Sequence, residues 1–129
     1  MAQTHTWGTT FKSGADSVSV PTETVSASGE AIIDETVAAN ADGVLHVIHI
    51  DVSALKSLMI LASKAMTLKS NSDSDPDDTI TLAANQLLRW TSNSGLECPL
   101  SADVTSGFYV DNGAAEGTLK IFALQDITP

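Results

Sequence analysis

One cysteine, six basic residues and an aromatic content of 5% set the first limits on this 129-residue chain. With Cys98 alone, no intrachain disulfide framework and no cysteine-based zinc site can form, and its plain role is that of a small packed side chain. So few aromatics leave the core to Val, Ile, Leu and Ala, which suits a thin two-layer sandwich better than a large cavity. Six Lys plus Arg against 16 Asp plus Glu give a formal net charge of −10. Phosphate backbones and anionic lipids are bound by basic side chains that displace counterions, so no nucleic acid and no membrane is expected as a partner.

Other absences narrow the chemistry. The longest apolar run is far short of a membrane span. The opening MAQTHTWGTTFK has no basic stretch followed by an apolar one, so no secretory leader is expected and the product is read as made in the cytoplasm. G-x-S-x-G, H-E-x-x-H, S-x-x-K and a glycine-rich phosphate cradle are all missing, so neither enzymatic activity nor a cofactor is expected.

What the chain does have is short strand-like runs between turn residues. Residues 58–62 (LMILA), 65–68 (AMTL), 79–82 (TITL) and 87–90 (LLRW) form the central block, interrupted by an Asp/Ser-rich loop. Before it, residues 30–37 and 44–50 flank Asn40-Ala41-Asp42-Gly43, a turn that predicts a β-hairpin, with a helix over 31–40 as the competing form. In the second of these runs Val44, His46, Ile48 and Ile50 share one face, and Leu45, Val47 and His49 the other. After the central block, residues 104–110 and 118–124 complete the set, the latter with Leu119, Ile121 and Ala123 toward the core. About eight strands at this spacing predict an all-β fold, an antiparallel β-sandwich of jelly-roll type with no helix of normal length. Residues 25–129 form that single domain by length and pattern, and residues 1–24, polar and punctuated by Pro21, form an extended N-terminal arm or edge strand.

Three groupings invite a site. His46 and His49, three apart, point to opposite faces of a strand and cannot share an ion, and His5 is remote in sequence. Asp73, Asp75 and Asp77 alternate as the oxygen ligands of a calcium loop do, but the turn glycine is missing, Pro76 interrupts, and Leu82 falls where a bidentate Glu belongs. Turn formation by Asp, Ser and Pro is the simpler role, and no metal is expected. Trp7, Trp90 and Tyr109 are the stacking residues a carbohydrate-binding sandwich would use, although Trp90 beside Arg89 at a strand end more often serves a core or rim.

The second half has a cadence of its own: LKSNSDSDPDDTITLAANQLLRW at 68–90, ECPLSADVTSGFYVDN at 97–112 and LKIFALQDITP at 119–129. Across roughly residues 55–129 it resembles the head decoration, or cement, proteins of tailed bacteriophages. The likeness lies in the order of strands and turns and includes no catalytic motif. It implies a β-sandwich on the outer capsid surface of the virion, bound to the major capsid protein and tying capsomers together, commonly as a homo-oligomer, trimer or dimer. The acidic charge suits a position away from packaged DNA. The interface residues expected are Thr6, Trp7, Thr9 and Phe11 on the arm and Leu45, Val47 and His49 on the second face of their strand. A phage tail or connector component is the nearest alternative, and a carbohydrate-binding module the alternative of another class.

Overall fold

Side chains that alternate between apolar and polar put one face of a strand into a core and the other into water. Strands account for every long element among the described residues, although not all of them alternate in this way. The computed structural model describes residues 2–127, so Met1 and the closing Thr128-Pro129 of the C-terminal cadence lie outside the described residues. The strands are β1 (Gln3–Ser13), β2 (Asp16–Ala27), β3 (Gly29–Val37), β4 (Val44–His46), β5 (Leu55–Ala62), β6 (Met66–Ser70), β7 (Thr79–Leu82), β8 (Leu88–Thr91), β9 (Phe108–Asn112) and β10 (Gly117–Gln125). A 3-10 turn, Val52–Ala54, precedes β5.

Eight of the strands form two antiparallel sheets, one ordered β3-β10-β5-β8 and the other β4-β9-β6-β7. Except for the β6-β7 hairpin, each strand is followed by one in the opposite sheet, which is the winding of a jelly roll. The core is the aliphatic layer expected from the composition. Leu58 and Ile60 of β5 and Leu119, Ile121 and Ala123 of β10 face Leu68 of β6 and Phe108 and Val110 of β9, all fully buried. Each of these side chains except that of Ala123 stabilises the fold by about 1.5–3 kcal/mol relative to exposure.

The remaining two strands correct the reading of the N-terminus. In place of an extended arm or a single edge strand over residues 1–24, β1 and β2 pair with each other as a long hairpin, turning at Gly14, whose φ of 59° lies in the left-handed region. The hairpin is a separate two-stranded sheet, so the described strands number ten rather than about eight. Its ladder shifts register between Trp7 and Thr9, where Pro21 and Thr22 stand opposite Gly8.

The second correction concerns residues 29–50. β3 and β4 are not a hairpin, because they belong to opposite sheets. Asn40 and Gly43, with φ of 60° and 62°, swing the chain from one layer to the other, and the Asn40 N–H donates to the Gly113 carbonyl (2.7 Å). An Asp-Gly pair supplies the backbone freedom for a tight turn without dictating that the flanking strands pair. The run 44–50 keeps its alternation, with His46, Ile48 and Ile50 buried, but ladder pairing stops at His46. Beyond it only Ile50 bridges Val104, through two 2.9 Å backbone hydrogen bonds.

Candidate functional site

The outer face of the β3-β10-β5-β8 sheet is where the hairpin meets the sandwich. Cross-strand register places Ile32, Phe122, Met59 and Arg89 in one row across that face, with Glu30, Leu124, Ser57 and Thr91 in a neighbouring row. The base of the hairpin lies over the second row, where Val25 and Ala27 of β2 bury Leu124 completely.

A polar latch fixes this docking. The Trp7 Nε1–H donates to the Ser57 Oγ (2.9 Å), and the Ser57 Oγ is 2.8 Å from the His5 Nδ1. The other ring nitrogen of His5 bonds the Glu30 carboxylate. A neutral His5 protonated on Nε2 satisfies the whole chain: tryptophan N–H to serine oxygen, serine O–H to Nδ1, Nε2–H to carboxylate. Serine, histidine and a carboxylate in line resemble a nucleophilic triad, but Ser57 is completely buried and its oxygen is covered by Trp7. The arrangement holds two layers of chain together and leaves the hydroxyl no room for a substrate. Arg89 extends the latch, its guanidinium over the Trp7 ring and its Nη1 donating to the Thr9 Oγ1. One flaw remains: the Oε1 of Glu23, opposite Trp7 on β2, is buried without a hydrogen-bond partner.

Beyond Thr9 the hairpin has passed β8, the last strand of the sheet, and residues 8–22 are exposed throughout. Trp7 and Thr9 both meet Arg89, so alternation carries Phe11 to the same underside. Val18 pairs with Phe11 and Val20 with Thr9, which places both valines there as well. Phe11, Val18 and Val20 are 62%, 57% and 48% exposed, an apolar underside that no described residue covers. Of the arm residues singled out in the sequence, Trp7 and Thr9 are thus engaged within the chain, while Thr6 and Phe11 are exposed.

Leu45, Val47 and His49 lie together on the surface at the β4 edge of the other sheet, and Val44 is exposed beside them. Leu45 pairs with Tyr109 across the outer face of that sheet. His46, on the opposite side of the same run, is buried and contacts Glu35 of β3 (3.3 Å), joining the edges of the two sheets.

The acidic loop is tied up in its own contacts. Asp73 pairs with Lys69 (3.3 Å), Asp77 accepts from the Asn71 Nδ2 (2.7 Å), and the Asp75 N–H donates to the Ser72 Oγ (3.0 Å). Asp78 accepts from both the N–H and the hydroxyl of Ser101. Among the described residues no group of three or more His, Cys, Asp or Glu is arranged to hold a metal ion. Lys69 also meets Asp111 (3.1 Å), whose carboxylate accepts the Gly43 N–H (2.7 Å). The Gly43 amide, and then Lys69, hold the Asp111 carboxyl below the usual carboxylate range, and hydrogen bonds to Asp111 and Asp73 raise the Lys69 ammonium above its own. Burial pushes the Cys98 thiol up.

The three stacking candidates do not share a platform. Trp7 lies under Arg89, Trp90 packs against the core with its Nε1–H donating to the Leu96 carbonyl (3.0 Å), and Tyr109 is on the other sheet. No described helix is long and apolar enough to cross a membrane. Comparison of the chain with protein-family models, curated proteins and solved structures found no match.

Proposed function

We propose that the chain is a virion structural protein, a decoration subunit that binds the outer surface of a tailed-bacteriophage head and stabilises contacts between capsomers. The observation that carries this reading is the distribution of exposed apolar side chains on a strongly acidic jelly roll. Among the described residues, six of the ten exposed large apolar side chains fall on two surfaces, a projecting hairpin with Phe11, Val18 and Val20 and one sandwich edge with Val44, Leu45 and Val47; Ile32, Leu87, Leu96 and Ile127 are exposed elsewhere. Two separated contact surfaces on one small body suit a part that ties neighbouring units together. The charge of −10 suits a surface turned away from packaged DNA. The sequence cadence shared with decoration proteins points the same way.

The mechanism is mass action. A subunit that binds the assembled shell and not its dissociated parts adds its binding free energy to the shell, about 2.7 kcal/mol per site at a hundred times the Kd. The experiment is binding to purified heads stripped of decoration, followed by heat challenge. The intact chain is expected to bind saturably and to raise the temperature of head rupture. A Leu45→Asp/Val47→Asp variant, checked for folding by its melting temperature, is expected to lose occupancy. Heads that ignore the intact chain exclude the reading.

A further inference from the structure

The overhanging underside of the hairpin and the uncovered part of the sheet face beside its base are complementary, and they cannot meet within one chain. The hairpin runs across the sheet from β3 toward β8 and leaves it there, carrying Phe11, Val18 and Val20 away from the row Ile32, Phe122 and Met59. Ile32 is 50% exposed, and a cleft of about 400 Å³ floored by Met59 and Phe122 opens between this row and Trp7. Charge matches as well. Alternation along β2 puts Asp16 on the same face as Val18, at the tip of the hairpin, and alternation along β10 puts Lys120 on the same face as Phe122. Lys120 is one of only six basic residues in the chain, and among the described residues it makes no ion pair even with Asp34, its cross-strand neighbour.

We infer that the occupant of each surface is a second copy of this chain: the underside of one hairpin seats on the Ile32, Phe122 and Met59 row of the next molecule, with Asp16 against Lys120. An acidic partner of another kind would meet the same long-range repulsion as a second copy without this local match. The contact is heterologous, donor surface to acceptor surface, so each molecule gives one and receives one and a closed ring forms where the rotation permits. The decoration reading implies a homo-oligomer without saying how copies meet; the inference names the surfaces, gives the hairpin patch to a second copy and leaves the Val44, Leu45 and Val47 edge to the shell. It is tested on the isolated protein with no head present, so its failure and the failure of that reading are distinguishable.

The test uses sedimentation velocity and light scattering on the full chain. The wild type is expected to self-associate reversibly. Phe11→Asp removes the donor and Ile32→Asp the acceptor, and each alone is expected to weaken association by about tenfold or more, as loss of a central apolar anchor does. An equimolar mixture of the two variants retains one intact donor and one intact acceptor, so it is expected to form a heterodimer and stop there. Asp16→Lys is expected to weaken association about threefold, with recovery in the Asp16→Lys/Lys120→Asp double variant. Unchanged melting temperatures establish that each variant is folded, and Phe11→Leu, which keeps the apolar contact, serves as the control that retains assembly. A monomeric wild type overturns the inference, as does self-association insensitive to both single variants or a mixture that fails to pair. Loss of head binding by Phe11→Asp in a chain that stays monomeric would give the surface to the shell instead.

Discussion

The guanidinium carbon of Arg89 lies 4.7 Å from the centre of the Trp7 ring. This pair fastens the hairpin to the sheet at β8, while Ser57 of β5 receives the tryptophan N–H. Arg89→Ala removes a cation–π contact of about 0.5–1 kcal/mol and the hydrogen bond to Thr9. The expected outcome is faster amide exchange in β1 and β2, by about three- to tenfold, with little change in the core strands β5 and β10. Trp7→Ala is expected to do more, since it also strips the cover from Ser57. Hairpin exchange unaltered in both variants would show that docking rests elsewhere.

Gly107 is expected to be intolerant of any side chain. Its φ is 131°, a conformation that L residues rarely adopt, and a Cβ there would overlap the His46 carbonyl oxygen at the β4 edge. Gly107→Ala should therefore separate β4 from β9 and lower stability by about 2 kcal/mol or more. Urea denaturation monitored by Trp fluorescence measures it, and a loss below half that figure would mean the edge relaxes freely.

Asn71 is the organiser of the acidic loop. With φ of 67°, it accepts the N–H groups of Thr105 and Ser106 (2.8 and 3.1 Å) and donates to the Asp103 carbonyl (2.7 Å). Asn71→Ala loses these bonds and strains the backbone; Asn71→Gly loses the bonds alone. The expected costs are about 3 and about 2 kcal/mol, the difference being the left-handed penalty. Equal losses in the two variants would remove the backbone argument.

The Asp111–Lys69 contact predicts a bell-shaped pH effect. Asp111 is held below its ordinary value of 3.8, so its contribution is complete above that pH and disappears as pH falls through the depressed value. Lys69 is raised above 10.5, so its contribution is complete below that pH and fades as pH rises through the raised value. The stability difference between wild type and Asp111→Asn is thus expected to be widest near neutrality and to shrink as pH falls below 3.8 and as it rises above 10.5. Denaturation midpoints near neutrality and in series beyond each of these limits decide it, and a difference constant across them contradicts the assignment.

Most strands of the second half were legible because their apolar residues keep a period of two between strong turn residues, although the run read over 104–110 pairs as a strand only from Phe108, and that strand continues to Asn112. The alternation of Leu119, Ile121 and Ala123 told which face of β10 is buried, and TITL and LLRW marked β7 and β8 to within a residue or so. The hairpin was not legible, because its alternating positions are filled largely by Thr and Ser, whose hydrophobic contrast is weak. A signal was nevertheless present in Gly14-Ala15, a two-residue loop with glycine first, which suits a type II′ turn. No spacing announced the latch. Trp7 and Ser57 are 50 positions apart, and His5 and Glu30 are 25, so only jelly-roll register combined with hairpin docking brings them together. The exposed face of Leu45, Val47 and His49 followed from alternation alone, whereas the early end of β4 depends on where β9 begins.

Pro21 bears on how such molecules behave in a crowd. A two-stranded ribbon standing in solvent has open backbone on both margins, and matching ribbons from other copies would tend to zip along it into fibres. Pro21 offers no N–H, and the register shift beside it breaks the regular spacing of donors and acceptors on that margin. Backbone-led growth is blunted there, so concentrated protein is left to meet through side chains, which can choose their neighbour.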